Sequence, residues 1–187
     1  KTIIIIQELE DLEVYKLFYD DLNKLMSSEE FIKKVSFPDV PEMSKPLYNI
    51  IMFNKVFWLE HSVNNKYFDN DMVIWADAGG LREPLENYSN VSWPNINKIN
   101  SFDNNKITFF SHKSDFNIND NEKEHISLSQ IRHIQGTAFL SPSHMVKGLL
   151  DEMVKTITES INGGYIGSDE KIFDLTYVKD KSKYHLI

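Results

Sequence analysis

MVIWADAGG, residues 72–80, sends four apolar residues into an alanine, one aspartate, another alanine and two glycines. Such an apolar run reads as a buried strand. Asp is a poor strand residue, and a carboxylate taken out of water is costly unless something compensates it. Asp77 at the end of this strand therefore points to a ligand, a metal ion or a sugar. Asp-x-Gly is also ordinary turn chemistry, so the nine residues alone leave both readings open.

On either side, apolar runs alternate with helical periodicity. Residues 2–6, TIIII, read as a buried central strand, because β-branched runs suit that position. A helix is expected over 10–26, where Leu12, Val14, Leu17, Phe18, Leu22 and Leu25 share a face. Residues 27–35 restart a helix, with Ser27 and Glu30 at capping-box spacing. FPDVPEMSKP, 37–46, carries three prolines and reads as a loop. Helix resumes from about Leu47 to Val63.

Residues 81–130 are polar and turn-rich, with KITFFSH, 106–112, as a strand. Long irregular segments of this kind are often binding loops or lids. IRHIQGTAFL, 131–140, reads as another strand, and Ser141-Pro142 as a cap with a first-turn proline. The stripe Val146, Leu149, Leu150, Met153, Ile157 and Ile161 marks a long helix that Gly163-Gly164 stops. One further helix follows YIGS, and KSKYHLI closes the chain. Strands alternating with helices predict an α/β domain, residues 1–187, with a mainly parallel sheet flanked by helices.

Composition narrows the function. The hydrophobic fraction of 41% and the aromatic fraction of 12% describe a globular chain. A net charge of −8 with two arginines, Arg82 and Arg132, argues against a phosphate-tracking nucleic-acid binder and suits a divalent cation. The absence of cysteine excludes disulfides and thiolate metal sites. No apolar run approaches the roughly 18–20 residues that span a bilayer, and no secretory signal is present. The expectation is a soluble, cytoplasmic protein. Phosphate loops, a GxSxG elbow and a cysteine nucleophile are all missing.

Ligands of open α/β sheets bind beyond the carboxyl ends of strands. Asp77 and His112 hold such positions, and Gln135, Gly136 and Thr137 line the same crevice in this reading. Asp169 and Glu170 follow Gly167-Ser168 at a helix start, where helix capping is the competing explanation. Lys55 on its aromatic helix would ordinarily snorkel to solvent. His61, His125 and His133 show no ligand spacing.

The ordered combination NKVFWLEHS, FDNDMVIWADAGG, IQGTAFLSPSHMVKGLLDEMVKTI and IGSDEKIFDL resembles the HtrL/YibB-type family, taken as bacterial glycosyltransferases of GT-A-like fold. The resemblance covers about residues 45–82 and 131–187. It implies transfer of a sugar from a nucleotide-sugar, a UDP-sugar foremost, to a glycan or glycoprotein acceptor, with Mn²⁺ or Mg²⁺ on the donor diphosphate. Asp77 and His185 become the metal ligands, because Trp75 stands where a D-x-D motif has its first Asp. Lys55 meets the diphosphate, with Trp75, Ala78 and Gly79 on the donor side. Gln135, Gly136 and Thr137 shape the sugar pocket. Asp169 and Glu170 face the acceptor hydroxyl as base or orienting group.

Thr137, Ala138 and Leu140 depart from the small and aromatic residues expected there. TIIII matches the second strand of such a fold, so roughly 60–80 preceding residues are expected to be missing. A non-catalytic carbohydrate-binding or assembly module is the alternative. A metal-dependent hydrolase is a weaker one, since it needs more clustered ligands.

Overall fold

Helices supply most of the apolar core in the computed structural model, which describes residues 2–67, 69–80, 84–88, 90, 95–112 and 122–187. The long helices are α1 (Glu13–Met26), α4 (Pro46–Asn64), α7 (Val146–Asn162) and α8 (Asp169–Lys179). Shorter ones are α2 (Glu29–Lys34), α3 (Pro41–Ser44), α5 (Ile96–Ile99) and α6 (Lys123–Leu128). α4 packs on α1 and α7, α7 packs on α8, and α8 lies against the sheet.

That sheet holds β1 (Met72–Ala76), β2 (Ile107–Ser111), β3 (Ile134–Pro142) and β4 (Tyr184–Leu186) in the order β1-β3-β2-β4. β1 and β2 both run antiparallel to β3, and only β2 and β4 are parallel. The mainly parallel, GT-A-like sheet expected from the sequence is therefore wrong. The domain is mostly helical around a small mixed sheet. Parallel strands need crossover helices and burial on both faces, whereas every residue of β1 keeps some exposure.

Residues 2–6 are not a strand either. They carry no regular structure, and Ile4 and Ile6 are 82% and 87% exposed. A β-branched run becomes a strand only where neighbours pair its N–H and C=O groups. The segment is tied through Gln7, whose side-chain oxygen accepts from Trp58 Nε1 at 2.8 Å.

Other elements follow their local signals more closely. On α1 the buried face is Val14, Phe18, Leu22 and Met26, one residue per turn, while the expected Leu17 is exposed. Ser28, not Ser27, caps α2, accepting from Phe31 N at 3.2 Å. Within the expected proline loop, Pro41 opens the single turn α3, and Pro46 opens α4. The α7 stripe buries Val146, Leu149, Leu150, Met153 and Ile157. Gly163 closes the helix and Gly164 takes φ +76°, a conformation that suits glycine. Ser141-Pro142 does not cap that helix: both residues belong to β3, and a 3-10 turn over Ser143–Met145 intervenes.

The polar loops expected within 81–130 fall partly outside the described residues, as does Arg82. Among the described residues no helix is long and apolar enough to cross a membrane. An aromatic cluster joins sheet to helix: Phe109 stands 5.0 Å from Phe173 and 5.2 Å from Tyr184 between ring centres.

One irregularity positions the site. Phe109 pairs with Phe139, but Ser111 pairs with Ile134. Residues 135–138 of β3 thus stand opposite Phe110 alone and leave the β2 ladder as a bulge.

Met153→Ala should cost about 2–5 kcal/mol in urea unfolding, as core truncations do. Ile6→Ser should stay within about 0.5 kcal/mol of the parent. A comparable loss for both would place residues 2–6 in the core.

Candidate functional site

Lys55 lies on the buried side of α4 and is only 3% exposed. Its Nζ donates to Asp169 Oδ2 at 2.7 Å, Asp77 Oδ2 at 2.9 Å and the Gly136 carbonyl at 2.9 Å. This ammonium is what compensates the carboxylate at the end of β1. Burial favours the neutral amine, but Asp169 and Asp77 outweigh it and hold the Lys55 pKa above the ordinary lysine value. The other Asp77 oxygen, Oδ1, accepts from Trp75 Nε1 at 2.7 Å, and Trp75 stacks on Trp58.

Backbone contacts set the remaining geometry. Asp77 N donates to Thr137 O at 2.8 Å, extending the β1–β3 ladder by one step, and Gly80 N closes a turn on Asp77 O at 2.9 Å. Beyond β1, Ala78 and Gly79 are exposed. The bulge frees Gly136 from β2, so its carbonyl meets Lys55 and its N–H faces Glu170 Oε1 at 3.4 Å. Glycine is required here by space: an added Cβ would stand 2.4 Å from Asp169 Oδ2.

α8 supplies acceptors to β3 at matching intervals. Glu170 faces the Gly136 N–H, and Asp174 Oδ1 accepts from Ile134 N at 3.0 Å. Four helical residues rise about 6 Å, close to the roughly 6.6 Å of two strand residues. Ser168 precedes α8 without a side-chain capping bond, and Asp169 is turned to Lys55. The helix-capping explanation for this acidic pair therefore accounts for neither side chain's contacts.

Glu170 reaches the rim with its side chain 13% exposed, and the Asp77 side chain is 27% exposed at the end of β1. Its Oε2 lies 3.2 Å from Arg132 Nε, and Oε1 lies 4.0 Å from His112 Nε2. Arg132 also donates to Glu42 at 3.2 Å. Beside this rim, His133 Nδ1 stands 3.0 Å from Asp174 Oδ2, and burial pushes the Asp174 carboxyl up against the opposing pull of His133.

The sequence-predicted residues thus separate into groups. Lys55, Trp75, Asp77, Gly136, Asp169 and Glu170 come together, with half-buried Gln135 and Thr137 on the bulge beside them. His185 does not join them. It sits on β4, at the opposite edge of the sheet from β1, three strand spacings or about 14 Å across. Its ring meets Phe102 instead. The three N–H groups of Lys55 are matched by three acceptors within the fold.

Arg132, Glu42, His133 and Asp174 were given no site role by the sequence. The one available signal was the scarcity of arginine.

The implied Mn²⁺ or Mg²⁺ does not fit the donor set at Asp77. Both of its carboxylate oxygens already take protein donors, and Lys55 occupies the space between Asp77 and Asp169. Among the described residues no group of three or more His, Asp or Glu side chains is placed to hold a metal ion.

Fold and site together define a mostly helical domain whose small mixed sheet ends in a buried lysine–dicarboxylate cluster. The chain belongs to the HtrL_YibB family, described as a bacterial protein of unknown function, whose model matches residues 1–187. No curated protein and no solved structure matches the chain.

Lys55→Met should cost about 3–5 kcal/mol, because it strands buried carboxylate charge. Adding Asp169→Asn should recover part of that loss in the same urea titration. Gly136→Ala should cost about 1–3 kcal/mol through overpacking against Asp169. Parent-like stability of both Lys55→Met and Gly136→Ala would dissolve the cluster as described.

Proposed function

We propose that this chain belongs to a glycosyltransferase acting on a nucleotide-sugar, a UDP-sugar foremost, with a carbohydrate or glycoprotein acceptor. The observation that carries the reading is the convergence of Asp77, Gly136, Asp169 and Glu170 around Lys55, with Glu170 paired to Arg132 rather than to Lys55. It draws also on the resemblance of WADAG, residues 75–79, and IGSDEKIFDL, residues 166–175, to glycosyltransferase motifs.

In this reading Glu170 is the general base. The acceptor hydroxyl oxygen forms a bond to the anomeric carbon, and its proton passes to the Glu170 carboxylate. The bond from the anomeric carbon to the phosphate oxygen breaks, and the nucleoside diphosphate leaves with the electron pair. Arg132 orients Glu170, while Lys55, Asp77 and Asp169 hold Gly136 and the start of α8 in place. The exposed Ala78–Gly79 turn lies on the donor side.

The non-catalytic carbohydrate-binding module is kept as the second reading for one specific reason. Asp77 and Asp169 are both already engaged by Lys55.

Consumption of UDP-glucose, UDP-galactose and UDP-N-acetylglucosamine should be followed by release of UDP, with Mn²⁺ and again with EDTA. Glu170→Gln should lower turnover by about 10²–10⁴-fold while leaving donor binding and the circular dichroism spectrum unchanged. Equal loss of binding and turnover would make Glu170 structural. Carbohydrate binding without any turnover would favour the module.

A further inference from the structure

Arg132 stands between two carboxylates that come from different elements. Its Nη2 donates to Glu42 Oε1 at 3.2 Å, and its Nε lies 3.2 Å from Glu170 Oε2. Both acids are largely shielded, with side chains 15% and 13% exposed, whereas the arginine is half-exposed. An exposed ion pair needs only one acid, and a second acid on the same cation adds like-charge repulsion. Stability alone therefore does not account for Glu42.

The place of Glu42 is built into the backbone. Pro41 opens the single turn α3, Lys45 N closes it on the Pro41 carbonyl at 2.9 Å, and Met43 is buried in the core. The Glu42 carbonyl accepts from Nδ2 of buried Asn49 at 2.9 Å. Asn49 belongs to α4, the helix whose Lys55 holds Asp169 beside Glu170. One helix thus fixes the backbone under Glu42 and the start of the helix that carries Glu170, and Arg132 spans the two.

This sharing decides which oxygens of Glu170 are occupied. A guanidinium pairs most strongly with a carboxylate when Nε and Nη2, which share an edge, take both oxygens at once. A carboxylate held in that way is a poor base, because its charged form is favoured and neither oxygen is left for a proton. Glu42 draws Nη2 to itself, and Glu170 meets Nε through Oε2. Oε1 has the Gly136 N–H at 3.4 Å and His112 Nε2 at 4.0 Å, both longer than an ordinary hydrogen bond.

We propose that Glu42 is a positioning residue for Glu170. By sharing Arg132 it keeps that arginine from closing on both carboxylate oxygens, and it leaves Oε1 to receive a proton. That the proton comes from an acceptor hydroxyl rests on the transferase reading above; the sharing of Arg132 does not.

UDP release from the same UDP-sugars, measured beside crystal structures of the full chain, tests it. Glu42→Leu should lower kcat by roughly tenfold or more, a part of the roughly 10²–10⁴-fold that a general base supplies, with the donor KM unchanged. In the crystal structure of that variant, Nε and Nη2 of Arg132 should both lie against Glu170. Adding Arg132→Lys, whose point charge cannot take both oxygens in the same way, should restore most of the lost kcat. A merely structural role for Glu42 would raise KM or lower stability and would show no such rescue. Parent-like kcat in a folded Glu42→Leu variant, or no recovery with Arg132→Lys, would overturn the proposal. If the parent releases no UDP, the transferase reading falls and the crystal contacts alone decide. Arg132 closing on both oxygens of Glu170 in Glu42→Leu then upholds the sharing, and an unmoved Arg132 overturns it.

Discussion

A single buried ammonium organises this molecule. Lys55 reaches from the middle of α4 to a strand end, a strand bulge and a helix start, and each gives it one acceptor. A buried ion pair adds little net stability over a well-packed apolar replacement. What it supplies is position, because removing the ammonium strands the buried Asp169 carboxylate. The aspartate that ends MVIWADAGG is neutralised by the protein itself, and the same bond that neutralises it draws β1 toward α8.

The bulge in β3 is the second half of that arrangement. Had residues 135–138 stayed in register with β2, the Gly136 carbonyl and N–H would have been consumed by the ladder. Leaving register exposes two backbone groups that need partners, and α8 and Lys55 provide them. The close approach of α8 is possible only because residue 136 lacks a Cβ. Glu170 is left at the rim with Arg132 and His112 nearby, while Asp77 keeps part of its carboxylate open to solvent at the end of β1.

Much of the local structure was legible. The α7 stripe, the proline that opens α4 and the glycines that end α7 act within one or two turns, so periodicity and capping chemistry report them directly. The candidate residues at 55, 77, 136, 169 and 170 were legible too, through the ordered motifs. The pairing of strands was not. Alternation and β-branching tell how deeply a segment is buried, not which neighbour it meets or in which direction. TIIII has the composition of a central strand and lies exposed, because nothing described pairs with it. His185 looked like a metal ligand by its lateness in the chain, yet the order β1-β3-β2-β4 puts it at the far edge from Asp77.

By itself the sequence determined where the long helices run, much of their apolar faces, and that a lone aspartate closes an apolar strand. Only the tertiary structure decided that the charge opposite Asp77 is Lys55, that the sheet is mixed, and that Glu170 rather than Asp169 reaches the rim. The physical reason is range. Helix faces and caps are set by residues a few positions apart, whereas the contacts of Lys55 span 22, 81 and 114 positions. Bonds of that length leave no period in the sequence; they exist only once the core has packed.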